Sequence, residues 1–237
     1  KQNKKPKFIY VVPDFQNPSG ITMDLKKREG LLDLSYEFDI PIVEDSPYRD
    51  LRYEGDHIPT ISTLDDKGIS FSLHTFSKIF APGTRLGWIV ANKCIMDKFV
   101  MSKQPADLCS APFTQAMVYE FCRRGLIKPH IEKIVDLYGK KRDAMMNALD
   151  KYMPKDGGVE WTHPLGGMFL WVTLPEHVDT VAVFPKAIEK KVAYVVGSAF
   201  HFDGSGKNTM RLNFSFPSEE QIDDGINRLA ELFKEVI

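Results

Sequence analysis

Cysteine is scarce in this chain of 237 residues: three occur, Cys94, Cys109 and Cys122, an odd number without a C-x-x-C pair. That excludes a disulfide framework and reads as reduced thiols in a cytoplasm. The six histidines do not gather near the cysteines, so no zinc-ligand spacing is present and no metal is expected. Charge of one sign is also lacking. The formal net charge is -1, which leaves no electrostatic footprint for nucleic acid or an anionic membrane. No apolar run is long enough to span a bilayer. The basic start, KQNKKPKFIY, is not followed by a signal-peptide core. Internal repeats and low-complexity tracts are absent.

What remains is an ordinary globular composition with 43% hydrophobic and 27% charged residues, enough for one large domain or two modest ones. FIYVV (8–12), IPIVED (40–45), SFSLHTF (70–76) and LGWIVA (86–91) read as strands. A helix is expected over 22–39, weakened by Gly30. Strands alternating with helices imply an α/β layer with a mostly parallel sheet, whose ligands gather at the carboxyl ends of the strands. From about Ala111 the pattern turns helical. Ile131, Ile134, Val135, Tyr138, Met145 and Leu149 mark one long helix. GGVEW, GGMFLWVTL, VAYVV and NTMRLNF read as strands of a smaller sheet, and AVFPKAIEKK as a helix. Ser218 and Gln221 open a last helix with a capping-box pattern. The expected organisation is a large domain over 1–135 and a small α+β domain over 136–237.

The chemistry concentrates at strand ends. In HTFSKIFAPGTRLGW (74–88), Lys78 follows a strand and sits among Thr75, Ser77 and Arg85. A lysine taken blindly is a surface charge. Here, hydroxyls, backbone N–H groups and an arginine make a phosphate site, and a lysine beside one suits a phosphorylated aldehyde held as a Schiff base. Asp45, in VEDSPY, is either a turn-opening aspartate or the carboxylate that keeps a pyridinium nitrogen protonated. Glu44 points to the opposite strand face, so one of the two acids is the candidate. Asn17, in an NP turn, and Tyr48 are each unremarkable alone, but an amide and a phenol together could bond a ring phenolate. Arg211, in NTMRLNFS, is an edge or ion-paired arginine, or a fork for a substrate carboxylate.

Together, PDFQNPSG, IVEDSPY, TFSKIFAPGTRLGW and MRLNFS resemble, in order and spacing, the fold-type I PLP-dependent aminotransferases of classes I and II. PLGGMFLWVTLP, VAYVVGSAF and MRLNFSFPSEEQIDDGI are most similar to the 2-aminoadipate, kynurenine and multi-substrate branch. The chain looks like the C-terminal part of such an enzyme, lacking the N-terminal part. The resemblance implies pyridoxal 5'-phosphate as cofactor. Lys78 forms its Schiff base and shuttles a proton, and Asp45 holds the ring nitrogen. Tyr48 and Asn17 bond the ring oxygen, while Thr75, Ser77 and Arg85 hold the phosphate. Arg211, with Asn17, holds the substrate carboxylate. It implies ping-pong transfer from an α-amino acid to a 2-oxo acid, and a cytoplasmic homodimer without nucleic acid in this region. The same residues also serve a PLP-dependent β-lyase, or the aminotransferase-like sensor domain of a transcription regulator.

Overall fold

A computed structural model describes residues 5–155 and 158–237. The expectations that fall on residues 1–4 and on Gly157, the first residue of GGVEW, lie outside that range. The chain divides into two compact units, one of residues 1–14 and 22–134, the other of residues 15–21 and 135–237.

The first unit is an α/β layer. Strand β1 (Ile9–Val11) is followed by helix α1 (Leu25–Phe38), β2 (Ile42–Asp45), the single turn α2 (Ile61–Leu64), β3 (Ser70–Thr75) and β4 (Gly87–Val90). The sheet order is β1-β2-β3-β4. The first two pairings are parallel and the last is antiparallel. All four strands fall within the segments FIYVV, IPIVED, SFSLHTF and LGWIVA. α1 starts at its cap, where the Asp24 carboxylate accepts the Lys27 N–H at 2.8 Å, and it runs through Gly30. Leu32, Ile42 and Ile61 form its buried cluster beside the sheet.

Helices α3 (Lys93–Asp107), α4 (Pro112–Arg123) and α5 (Ile127–Tyr152) follow. No sequence expectation covers α3. Ile95, Met96, Phe99 and Val100 recur there at helical spacing, a signal that those expectations miss, although none of the residues of α3 is buried. α5 begins four residues before the first periodic apolar position, because Pro129 is tolerated in the first turn of a helix. No helix among the described residues is long and apolar enough to cross a membrane.

The second unit holds β5 (Glu160–Trp161), β6 (Phe169–Thr173), α6 (Thr180–Glu189), β7 (Val195–Val196), β8 (Thr209–Asn213) and α7 (Glu219–Lys234). Its sheet has the order β5-β6-β8-β7 and is antiparallel throughout. β7 is shorter than VAYVV because only Val195 and Val196 pair with β8. The capping box forms as its sequence implies, Ser218 Oγ accepting the Gln221 N–H and Gln221 Oε1 accepting the Ser218 N–H. α7 buries Ile222, Ile226, Leu229, Leu232 and Phe233. Each such side chain contributes roughly 1.5–3 kcal/mol relative to exposure.

Candidate active site

At the end of β2, two adjacent acids take opposite faces. Glu44 is fully buried, and its carboxylate accepts the N–H groups of Ile61 and Ser62 at 3.2 and 3.0 Å. It is the anion at the N-terminus of α2, a structural post. Asp45 is half-buried on the other face, at the carboxyl end of the strand. Its Oδ2 accepts a 2.5 Å hydrogen bond from the Tyr10 phenol of β1. Burial, and then the Asp45 carboxylate, push the Tyr10 hydroxyl far above the usual tyrosine range. Three residues on, Tyr48 is buried.

Lys78 lies in the turn that leaves β3. Phe76 N–H bonds Leu86 O at 3.0 Å, and the N–H groups of Phe80 and Ala81 both bond Phe76 O, which folds the lysine back over the strand end. Its Nζ stands 6.0 Å from the centre of the Tyr48 ring, so sequence-distant Tyr48 and Lys78 are brought together. The lysine is half-buried, and no acidic side chain pairs with it among the described residues. Thr75 Oγ1 donates to Leu86 O at 3.2 Å and accepts the Ser77 N–H at 3.1 Å, bracing the same turn. Arg85 closes the following 3-10 turn with a left-handed φ of 50° and donates from Nη1 to Pro82 O. Among the described residues no hydrogen bond joins Lys78, Ser77 and Arg85 to one another. The Lys78 amine and the Ser77 hydroxyl stay available for an anion, as do the Arg85 N–H groups other than the one on Pro82 O. Gly87 lets β4 close on this segment, since a Cβ there would stand 2.6 Å from His74 O.

In the second unit, Arg211 is on β8, a central strand opposite both Trp171 and Val195, which removes the edge-strand reading. Its guanidinium lies 4.1 Å from the Phe169 ring centre and 5.3 Å from that of Phe200. Nη1 donates to Asn17 Oδ1 at 2.6 Å. Asn17 is presented by a tight loop in which Gly20 N–H bonds Gln16 O and Ser19 bonds the Gln16 amide oxygen. Gly20 has a φ of +70°, and a Cβ there would meet Phe169 O at 2.5 Å. The arginine is therefore stacked, partly buried and bonded to the Asn17 amide, which holds the plane of its guanidinium.

Two contributors escaped sequence reasoning. Tyr10 looked like one more apolar strand residue. Its signal was parity: β1 pairs Tyr10 with Val43, two residues before Asp45, so both side chains take one sheet face. Asp14 looked like a turn residue. It is 1% exposed and carries Arg28 at 2.7 Å, Arg49 at 3.5 Å and Arg52 at 3.6 Å. Arg28 also donates to the carbonyls of Pro13, Met23 and Pro59. Burial holds Arg52 below the usual arginine range, against the pull of Asp14. Among the described residues no group of histidine, cysteine and acidic side chains is arranged to hold a metal ion.

Residues 1–229 match the family model described as aminotransferase class I and II. The aromatic-amino-acid aminotransferase 1 of Thermococcus litoralis is 48% identical over 235 residues, covering 99% of this chain and 56% of that protein. The crystal structure of the multiple substrate aminotransferase from Thermococcus profundus superposes with a TM-score of 0.95 at 49% identity, over 99% of this chain and 58% of that one. The HTH-type transcriptional regulator NorG of Staphylococcus aureus is 31% identical over 99% of this chain and 52% of its own length. The chain thus spans a little over half the length of the relatives it matches.

Proposed function

The chain belongs to the aminotransferase class I and II family, and from that premise we propose that it serves a pyridoxal 5'-phosphate-dependent transamination. An amino group passes from an α-amino acid to a 2-oxo acid in a ping-pong cycle. One observation carries this reading: a half-buried lysine at a strand end, without an acidic partner, beside the Tyr48 ring and a turn rich in anion donors. When bound, the cofactor supplies an aldehyde that condenses with an amine and a ring that accepts an electron pair. The donor set of the first unit fits that group. Lys78 supplies the amine and afterwards moves the proton at the substrate Cα. Asp45 presents its carboxylate to the ring nitrogen, and Tyr48 its hydroxyl to the ring oxygen. Ser77 and Arg85 hold the phosphate, with Thr75 joining once its hydroxyl leaves Leu86 O.

In the second unit, Arg211 takes the substrate carboxylate, with Asn17 fixing the roll of the guanidinium. Asn17 keeps its further expected role toward the ring oxygen. The unit of residues 1–14 and 22–134 is read as part of the large cofactor domain, and that of 15–21 and 135–237 as the small domain. Two of the relatives named above are an aromatic-amino-acid and a multiple substrate aminotransferase, and we extend that breadth to this chain. A homodimer and a cytoplasmic setting complete the reading, and three cysteines without a bridge fit the setting.

The test is to incubate the full-length polypeptide with pyridoxal phosphate, reduce it with borohydride and map the modified peptide. The label is expected on Lys78. Lys78→Ala should abolish it together with nearly all turnover, and turnover near wild type would overturn the assignment. The match to NorG favours a second reading, a sensor domain. A labelled Lys78 without transfer to any 2-oxo acid, joined by DNA binding of the full-length protein, would select it.

A further inference from the structure

We propose that Tyr10 is the positioning residue for Asp45. From β1 its phenol clamps Oδ2, so that Oδ1 is the oxygen presented to the ring nitrogen. The inference rests on the reading of Lys78 and Asp45 given above. A carboxylate at the end of a strand turns easily about its last bond, whose rotamer well is broad. Something must fix its plane before it can address one nitrogen atom. Tyr10 stands opposite Val43 in the parallel register, and alternation brings its side chain to the face of Asp45. The phenol meets Oδ2 at 2.5 Å, in the range of charge-assisted O–H···O⁻ bonds. Among the described residues Tyr10 alone donates to Asp45. Burial and the neighbouring carboxylate keep the phenol protonated, so it remains the donor at every working pH. The geometry devotes one hydroxyl to one carboxylate.

A double-mutant cycle on the full-length protein tests the coupling. Cofactor dissociation constants are measured by absorbance for the wild type, Tyr10→Phe, Asp45→Ala and the double variant. Tyr10→Phe is expected to weaken cofactor binding about tenfold when Asp45 is present, and less than twofold when it is alanine. Turnover should fall by a similar factor with the KM for the amino acid unchanged. Equal effects in both backgrounds, or none in either, would overturn the inference. Replacement of Tyr10 by 3-fluorotyrosine strengthens the donor at nearly constant shape, and serves if the phenylalanine variant folds poorly. Its effect on affinity must likewise depend on Asp45. Borohydride trapping separates the two failures. No label on Lys78 in the wild type sinks the cofactor reading itself, while a persistent label without coupling sinks only the role of Tyr10.

Discussion

Asn17 and Arg211 stand 194 residues apart in the chain and share a 2.6 Å hydrogen bond. At the scale of single residues, that bond and the Phe169 face hold the arginine in the orientation its proposed role needs. A guanidinium stacked on a ring keeps its plane, and the planar fork of an arginine matches both oxygens of a carboxylate. Lysine offers neither the fork nor the stack. Arg211→Lys is therefore expected to raise the KM for the amino acid at least tenfold while Lys78 still takes up cofactor. Steady-state kinetics with parallel borohydride trapping reads both, and an unchanged KM removes Arg211 from the substrate site. The residue types at this site were legible in the sequence, since Lys78, Asp45 and Arg211 each stand out by context. Tyr10 and Asp14 were not, because a tyrosine in a strand and an aspartate in a turn are common without chemistry.

At the scale of elements, the segment between α2 and β3 hangs on one side chain. The Asp65 carboxylate accepts the N–H groups of Lys67, Gly68 and Ser70, the Ser70 hydroxyl and the Tyr36 hydroxyl. Partial burial works to raise its pKa, but the bonds from Ser70 and Tyr36 outweigh it and hold it below the usual aspartate range. A carboxyl depressed in the folded state stabilises above its unfolded value of about 4, and that stability is lost as pH falls through the folded value. Asp65→Ala should cost about 2 kcal/mol near neutral pH. Its denaturation midpoint should also fall less steeply than that of wild type between about pH 5 and 3. Urea melts across that range check both, and parallel curves for the two proteins would refute the account. The strands were legible as short apolar or alternating runs. α3 was overlooked, although Ile95, Met96, Phe99 and Val100 recur at helical spacing.

For the molecule as a whole, the buried ionic cluster around Asp14 belongs to the first unit, while Arg142 is a buried charge of the second. Asp14 meets three arginines from α1 and the stretch after β2, so its removal leaves like charges facing one another out of water. Losing one partner of a buried ionic cluster costs about 3–5 kcal/mol. Asp14→Ala should speed amide hydrogen exchange across residues 5–14 and 22–134, with residues 135–237 little changed. Uniform acceleration over both units would show that stability is not partitioned this way.

The sequence by itself determined the class of the fold, the positions of the strands and the kinds of group at their ends. Those follow from local rules: apolar period, turn chemistry, capping pairs and the contrast between Glu44 and Asp45 on alternate strand faces. Tertiary structure alone decided which of these groups meet. The parallel register of β1 on β2 placed Tyr10 against Asp45, the turn after β3 carried Lys78 over Tyr48, and the loop of residues 15–21 joined the unit of β8, where Asn17 reaches Arg211. Such pairings depend on register and long-range packing, and neither is encoded in the spacing of residues along the chain.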